Sequence, residues 1–326
     1  MSFLRNISVT VVVLLCFSPV HAQQQKLVFC TQWLPQAQFA GYYVAKDKGY
    51  YKQAGLDVEI IHPSATVNAV AFLKAGKADI ISLFLTTGIN NRQKGLDIVN
   101  IAQVSQHSAI MFVSLKRNGI NELSKFNGKK IGVWLSGFDE VPKALVNKNH
   151  LTVEWVPIQS TVNLFMRGGI DLMTVMYYNE YDQVYLSGVN RNEINTFFMS
   201  DYGFDVPEDG LYVLRKTASS KKEALKAFVE ATLRGWEYAA LNKEYTINLV
   251  VKLMSEAQLP ATRTHQKWML DKILEMQDIK GKGVRPTELN PEDFTKAIDI
   301  MKNHYNMEFK FDYNDFFQPS LSINLH

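Results

Sequence analysis

The sequence has little cysteine and lacks the motifs on which several classes of enzyme depend. Two cysteines in 326 residues are too few for a disulfide framework or a cysteine-rich metal site. The seven histidines show neither the H-x-x-H nor the H-E-x-x-H spacing. There is no G-x-S-x-G elbow, no G-x-x-x-x-G-K-[ST] loop and no G-x-G-x-x-G loop. We therefore expect no catalytic residue, metal or cofactor, and a binding protein rather than an enzyme.

An excess of charge of one sign is also absent. The 35 basic and 32 acidic residues leave a formal net charge of +3, and the basic residues occur in scattered pairs. Nucleic-acid binding usually needs a concentrated basic face, so we expect no nucleic-acid partner. The composition, 47% hydrophobic and 21% charged, is that of a globular protein.

The N-terminal apolar run is too short to span a bilayer. It extends almost without interruption from Ile7 to Phe17, and Arg5 is the only charge in residues 1–22. A run of about eleven apolar residues fits the hydrophobic region of a secretory signal peptide. Small residues at positions −3 and −1 place the predicted cleavage after Ala22. We expect a periplasmic protein secreted through a cleaved signal peptide.

Two other interpretations of this segment remain open. The run could be a buried N-terminal strand, or Cys16 could carry a lipid anchor. Leu15, however, stands where a lipoprotein normally has a small residue. If the signal is removed, Cys30 is the one cysteine left, and its apolar strand predicts core packing.

Short apolar runs alternate with helical patterns, as in an α/β protein. Strand patterns such as Leu27–Cys30, Asp57–Ile61 and Asp79–Leu83 are separated by helical patterns of about ten residues, which is typical of parallel βαβ units. The alternation restarts at Ile131 after a polar segment, which indicates a second sheet and a second lobe. From about Ser219 onward the patterns are helical.

Ligands of open α/β sheets bind outside the carboxyl ends of the strands, and the aromatic and acidic clusters fall there. Trp33 and Gln36 follow the first strand, and Tyr42 lies in the helix after them. The aromatic rings could line a pocket, pack between lobes or fill the core. Stacking on a flat ligand would add about 0.5–1.5 kcal/mol beyond area burial.

A second cluster, Tyr177-Tyr178-Asn179-Glu180, directly follows the strand pattern 171–176 and should open a helix. Glu180 could simply stabilise the helix dipole, which is worth about 0.3–1 kcal/mol. Alternatively, its carboxylate could accept two parallel hydrogen bonds from an amino-heterocycle. Tyr177, Tyr178 and Trp33 would then supply aromatic faces to the ring.

Three further turns are rich in hydroxyl groups. Ser64, Thr86 and Ser136 stand where a strand pattern gives way to a helical one. Exposed N–H groups at helix starts can hold an anion or a polar ring substituent, but the same residues could act only as helix caps.

These segments resemble the solute-binding proteins of ABC importers, in the branch that binds thiamine-pyrimidine precursors (SsuA/THI5-like). The most specific stretches are "QWLPQAQFAGYYVAKDKGYYKQAGLDVEI" and "MTVMYYNEYDQV", and the similarity runs from about Lys26 to Phe317. The motif "FLKAGKADI" is shared with sulfonate, taurine and nitrate binders. Gln36 and Gln38 stand where this family often has asparagine.

The resemblance implies a two-lobe, type II periplasmic binding protein in which each lobe is a mixed sheet flanked by helices, with a helical C-terminal region. Lobe I would comprise residues 23–114 and 206–326, and lobe II residues 115–205. It also implies an aminopyrimidine ligand bound by Trp33, by Tyr177 or Tyr178, and by Glu180. The partners would be this small molecule and an ABC permease in the inner membrane, and we expect a monomer.

Two alternatives follow from the same resemblance. A sulfonate, taurine or nitrate binder would rely on Ser64, Thr86, Ser136 and helix N-termini, and would have little use for Glu180 in the cleft, since a carboxylate repels an anion. The family also includes fungal pyrimidine synthases, which are enzymes. Their cysteine-rich run and their lysine and histidine past the third strand have no counterpart in "YGFDVPEDGLYVLRK" and "SLFLTTG".

Overall fold

The computed structural model describes residues 24–64, 67–134, 137–159, 161–277, 286–305 and 308–320. The predicted signal peptide, Cys16 and Ser136 lie outside these residues. Within the described part of the chain, no helix combines the length and apolar character needed to cross a bilayer.

Strands and helices alternate through the first two thirds of the described chain. The strands are β1 (Gln25–Cys30), β2 (Leu56–Ile61), β3 (Ile80–Phe84), β4 (Ile98–Gln103), β5 (Ile110–Leu115), β6 (Lys130–Val133), β7 (Glu154–Pro157), β8 (Leu172–Met176), β9 (Ile194–Phe198) and β10 (Asp209–Leu214). The α-helices are α1 (Ala40–Asp47), α2 (Tyr50–Gln53), α3 (Ala69–Lys74), α4 (Leu85–Gln93), α5 (Glu140–Lys148), α6 (Asn163–Met166), α7 (Glu180–Leu186), α8 (Arg215–Ser220), α9 (Lys222–Leu241), α10 (Lys243–Glu256), α11 (Arg263–Met276), α12 (Pro291–Tyr305) and α13 (Tyr313–Phe316).

The strands form two five-stranded mixed sheets, ordered β2-β1-β3-β10-β4 and β7-β6-β8-β5-β9. In the first sheet β1 runs parallel to β2 and β3, while β10 is antiparallel to β3 and β4. In the second, β6 is parallel to β7 and β8, and β5 is antiparallel to β8 and β9. Every residue of β3, β4, β5 and β8 is buried, as expected for sheets covered by helices on both faces. The predicted fold class is confirmed.

We call the first sheet with its helices lobe I and the second with its helices lobe II. The chain crosses between them after β4 and again before β10. The boundary predicted at Ser114 falls inside β5, which pairs with β8 and β9 of lobe II. An apolar strand does not reveal which of two sheets it joins, and we now propose the crossings at about 104–109 and 199–208.

Some of the aromatic residues near the N-terminus pack between helices in the core of lobe I. Tyr42 on α1 lies in the core of lobe I, with its ring centroid 4.6 Å from that of Phe29 and 5.9 Å from that of Trp236 on α9. The two helices approach closely because glycine is present at the contact: a Cβ on Gly235 would collide with the carbonyl oxygen of Gly41.

The C-terminal helices bridge the two lobes. Helix α12 packs against both α4 of lobe I and α5 of lobe II, and α11 contacts both residues 37–39 and α7. The hydroxyl of Thr87 on α4 donates to the carbonyl of Gly137 in lobe II over 2.6 Å. The lobes are therefore held together on several sides of the cleft between them.

Candidate ligand-binding site

A partly open cavity, with about 360 Å³ of empty space including the part that reaches solvent, lies between the lobes. Its walls come from segments at or just beyond the carboxyl ends of β1, β3, β6 and β8, which is the position expected for a ligand of such sheets. The lining residues are Gln32, Trp33, Gln36, Gln38 and Phe84 from lobe I, and Trp134, Phe138, Met176, Tyr178, Asn179 and Glu180 from lobe II.

Glu180 is the acid of the cavity and the first residue of α7. Its Oε2 accepts a hydrogen bond from the backbone N–H of Met176 (3.1 Å), and its Oε1 accepts one from the Asn179 amide (2.8 Å). A carboxylate has about four lone-pair sites, so these two bonds leave acceptor capacity for a ligand. Burial raises the pKa of Glu180 to about 7, and the N–H donors and nearby His265 only partly oppose it.

A relay of amides ends at a second buried acid. Asp209, at the start of β10, accepts hydrogen bonds from the Nε2 groups of both Gln32 and Gln38. The Oε1 of Gln38 in turn accepts a bond from Gln36 Nε2 over 2.7 Å. Because these bonds fix the N–H₂ ends, the carbonyl oxygens of Gln32 and Gln36 are the ends that can accept a bond from a ligand. Burial raises the pKa of Asp209 to about 7.

Aromatic rings form much of the remaining wall. Trp33 and Phe84 of lobe I both meet Phe138 of lobe II edge to face, and Tyr178 and Trp134 add two further faces. Tyr178 is 2% exposed. A flat ligand in this cavity would contact π-faces and carbonyl or carboxyl acceptors together.

The structure brings five of the predicted site residues to this cavity: Trp33, Gln36, Tyr178, Asn179 and Glu180. Tyr177 does not line it, because its ring packs on Phe198, Tyr181 and Trp268.

Three of the other predicted positions also lie elsewhere. Tyr42 is in the core of lobe I, Thr86 is buried within α4, and Ser64 is exposed in the segment after β2. None of them is among the lining residues. Ser136 belongs to a segment outside the described residues. Of the three hydroxyl residues, the two that the structure describes, Ser64 and Thr86, therefore lie outside this cavity.

Six of the lining residues were not among the site residues predicted from the sequence: Gln32, Gln38, Phe84, Trp134, Phe138 and Met176. A signal for them existed, since Gln32 and Gln38 flank the predicted Trp33–Gln36 turn. Phe84, Trp134 and Phe138 also lie at or near the ends of strands. Nothing local connects the glutamines to Asp209, which is more than 170 positions away.

An open groove adjoins the cavity and shares Trp33, Gln36 and Asn179 with it. These residues lie between the cavity and a second space bordered by α7, α11 and residues 161–163. Among the described residues, no group of three or more His, Cys, Asp or Glu side chains is placed to hold a metal ion.

Comparison with known proteins places the chain in a family. The sequence profile described as "NMT1/THI5 like" matches residues 36–244, which is more than half of the chain. The protein belongs to the NMT1/THI5-like family. The matched range contains Gln36, Tyr178, Asn179 and Glu180, while Trp33 lies just before it.

Individual relatives are distant but cover most of the chain. The protein is 25% identical to the formylaminopyrimidine-binding protein of Halalkalibacterium halodurans, over 76% of each chain. It is 24% identical to the riboflavin-binding protein RibY of Chloroflexus aurantiacus, over 72% of this chain and 68% of that one. A shorter match, 25% identical over 33% of this chain and 31% of the other, is to the 4-amino-5-hydroxymethyl-2-methylpyrimidine phosphate synthase of Schizosaccharomyces pombe.

The fold is shared with solved periplasmic binding proteins. The aliphatic sulphonate binding protein SsuA from Escherichia coli superposes with a TM-score of 0.66 at 14% identity, covering 86% of this chain and 92% of that one. At this identity the likeness concerns the fold alone.

Proposed function

We propose that the protein is an extracytoplasmic solute-binding protein that captures an aminopyrimidine, or a similar flat heterocycle, in the cavity between its lobes. The observation that carries the proposal is the shared cavity of Glu180 and Trp33, with Phe138 and Tyr178 as further aromatic walls. The formylaminopyrimidine-binding relative supports the same ligand class.

The chemistry of the lining matches such a ring. A 4-aminopyrimidine presents exocyclic N–H donors beside a ring nitrogen, and Glu180 can accept from the amino group while sharing a proton with that nitrogen. Because the pKa of Glu180 is about 7, this carboxyl group can be either protonated or ionised near neutral pH. Gln32 and Gln36 can accept further N–H bonds from the ring or its substituents.

An anion is a poorer fit to this cavity. Its lining residues include no lysine, arginine or histidine, whereas Glu180 lines it and Asp209 accepts hydrogen bonds from the lining residues Gln32 and Gln38. A buried carboxylate repels a sulfonate or nitrate unless it is protonated. We therefore favour the heterocycle over the anion bound by the structural relative SsuA.

We also propose a binding role rather than catalysis. The lining residues include no lysine, histidine, cysteine or serine, so they offer no nucleophile apart from carboxyl and phenol groups. Ligand bridging the lobes would shift the population towards the closed form by as much as its affinity differs between the two forms. The closed monomer would then dock on an ABC permease, after secretion and removal of residues 1–22.

The test is a ligand screen on the mature protein, followed by calorimetry for every compound that shifts its melting temperature. The compounds are 4-amino-5-hydroxymethyl-2-methylpyrimidine, its formylated aminomethyl analogue, riboflavin, taurine and nitrate. We expect binding of the pyrimidines with little response to the anions. Binding of taurine or nitrate alone would refute the proposal in favour of an anion binder, and native mass spectrometry of the purified protein would identify a co-purified ligand.

A further inference from the structure

A histidine from the C-terminal helices reaches across the cleft towards the acid of the site. His265 lies in the first turn of α11 and is 9% exposed. Its Nδ1 is 2.9 Å from Asp182 Oδ2, and its Nε2 is 3.0 Å from Asn179 Oδ1. Both partners belong to the α7 region of lobe II. The imidazole therefore connects α11 with two residues that lie 83 and 86 positions earlier in the chain.

The contact continues directly to Glu180. The carbonyl oxygen of Asn179 accepts bonds from His265 and from Gln183 Nε2 (2.8 Å), so the amide N–H₂ must point the other way. In that orientation it donates to Glu180 Oε1 over 2.8 Å. His265 and Gln183 together thus fix which end of Asn179 faces the acid, and His265 is the one of the two that comes from another element.

Both ring nitrogens of His265 face acceptors, a carboxylate and a carbonyl. Donation to both requires the doubly protonated imidazolium. The charged groups around it are Asp182, Arg191, whose guanidinium lies 3.3 Å from the other oxygen of Asp182, and Glu180. The side chain of Asp182 is only 4% exposed, so its contact with His265 is shielded from solvent.

The same face of α11 makes two more contacts next to the site. Gln266 Oε1 accepts a bond from the backbone N–H of Ala37, the neighbour of Gln36 in lobe I. Trp268 Nε1 donates to the backbone carbonyl of Tyr177, the neighbour of Tyr178 in lobe II. Helix α11 therefore connects the glutamine turn of one lobe with the Tyr177–Glu180 turn of the other.

We propose that His265 is a positioning residue for ligand binding, which acts through Asn179 to hold Glu180 in its binding orientation only when the lobes are closed. The inference rests on the proposed function for the ligand that it uses. It adds that ligand affinity and closure are coupled through one cross-lobe hydrogen-bond chain, from α11 to the acid. A histidine in this position has no contact with the ligand cavity itself.

The experiment measures affinity for 4-amino-5-hydroxymethyl-2-methylpyrimidine by calorimetry in a double-mutant cycle. The variants are His265→Ala, Asn179→Ala and the double variant, with Lys267→Ala on the exposed face of the same helix as control. We expect His265→Ala to weaken binding about tenfold to a hundredfold alone, but less than about threefold when Asn179 is already alanine. Equal losses in both backgrounds would overturn the proposal, because a general effect on structure does not pass through Asn179.

Two further measurements keep the outcome decisive. His265→Gln retains one amide donor, so it should recover part of the affinity, and it replaces His265→Ala in the cycle if that variant does not fold. If the wild-type protein does not bind the pyrimidine, the proposed function has failed separately. X-ray scattering of the ligand-free proteins then decides: His265→Ala should have a larger radius of gyration than wild type and Lys267→Ala, and identical curves would overturn the role of His265 in closure.

Discussion

Trp33 and Phe138 meet edge to face across the cleft, with their ring centroids 5.8 Å apart and their planes at 87°. Trp33 follows β1 of lobe I, whereas Phe138 precedes α5 of lobe II. Phe84 of lobe I also meets Phe138, with centroids 5.0 Å apart. Because these rings line the cavity, the spacing of the lobes and the room for a flat ligand are set by the same contacts.

Replacing Trp33 by alanine should weaken pyrimidine binding by at least about tenfold. The loss combines the stacking contribution, about 0.5–1.5 kcal/mol, with the apolar area that the indole covers. Calorimetry with 4-amino-5-hydroxymethyl-2-methylpyrimidine measures it. Trp33→Phe should lose less, and Trp155→Phe on β7, away from the cavity, should bind as wild type does. Equal losses of affinity in Trp33→Phe and Trp155→Phe would contradict a role for Trp33 in the site.

The sequence was sufficient for the fold and for about half of the cavity, because both depend on local patterns. The ends of apolar strands identified the turns that carry Trp33, Gln36 and Glu180. The sequence could not show whether Tyr177 or Tyr178 lines the cavity. The strand ends at Met176, and the alternation of side chains between the two faces of the sheet is lost in the turn that follows. The packing of Tyr177 on Trp268 is a contact between positions 91 apart.

Other parts of the site depend on contacts that no local pattern reveals. In the sequence, Asp209 is an ordinary polar residue at the start of a strand. In the structure it orients Gln32 and Gln38 in the turn after β1. Strand β5 reads as a continuation of lobe I, although its antiparallel pairing places it in lobe II. The first crossing of the chain brings β5 into lobe II, and the second brings Asp209 back to the glutamines of lobe I.

Glu180→Gln should weaken pyrimidine binding by about 1–3 kcal/mol, since the amide replaces a charge-assisted acceptor by a neutral one and adds a donor that faces the ligand. For taurine or nitrate the same change should leave binding level or improve it, because it removes a negative charge. Calorimetry with both ligand classes measures the difference. Glu237→Gln on the exposed face of α9 is the matched control. Unchanged pyrimidine binding in Glu180→Gln would remove the acid from the proposed site.

Asp209→Asn should weaken pyrimidine binding about tenfold without direct contact with the ligand. The carboxylate accepts from both Gln32 and Gln38, whereas an asparagine must turn one N–H₂ group towards them. One glutamine then reorients and presents a donor where the ligand needs an acceptor, which costs about 1–2 kcal/mol. A crystal structure of the variant would show the changed amide, and wild-type affinity would rule out the relay.

Gly235→Ala should destabilise the protein by about 1–3 kcal/mol, although alanine is the better helix former by about 1 kcal/mol. The added Cβ would collide with the backbone of α1, which cannot move aside as a flexible side chain can. Urea unfolding followed by circular dichroism measures the change. Glu237→Ala, two positions along the same helix and exposed, should remain within about 0.5 kcal/mol of wild type. A more stable Gly235→Ala protein would mean that α1 and α9 are less tightly packed.

Glu140→Gln should reduce the loss of stability that the protein shows as pH rises. Glu140 opens α5 of lobe II, is 2% exposed, and accepts a bond from Asn90 on α4 of lobe I over 3.2 Å. Burial, with a smaller contribution from the charge of Asp139, raises its pKa from 4.5 to about 7. The folded protein therefore holds this proton more tightly than the unfolded chain. Its contribution to stability is complete below about pH 4.5 and is lost as pH rises through about 7.

At 1.36 kcal/mol per unit, this contribution reaches about 3 kcal/mol, and glutamine keeps the hydrogen bond from Asn90 without the titration. We expect the free energy of urea unfolding to fall less between pH 5 and pH 8 in Glu140→Gln than in wild type. Glu180 and Asp209 remain in both proteins, so their own titrations cancel in the difference. Glu237→Gln controls for the loss of a surface carboxylate. Because Glu140 sits where the lobes meet, parallel pH profiles of wild type and Glu140→Gln would mean that this carboxyl group reaches water through an opening of the cleft.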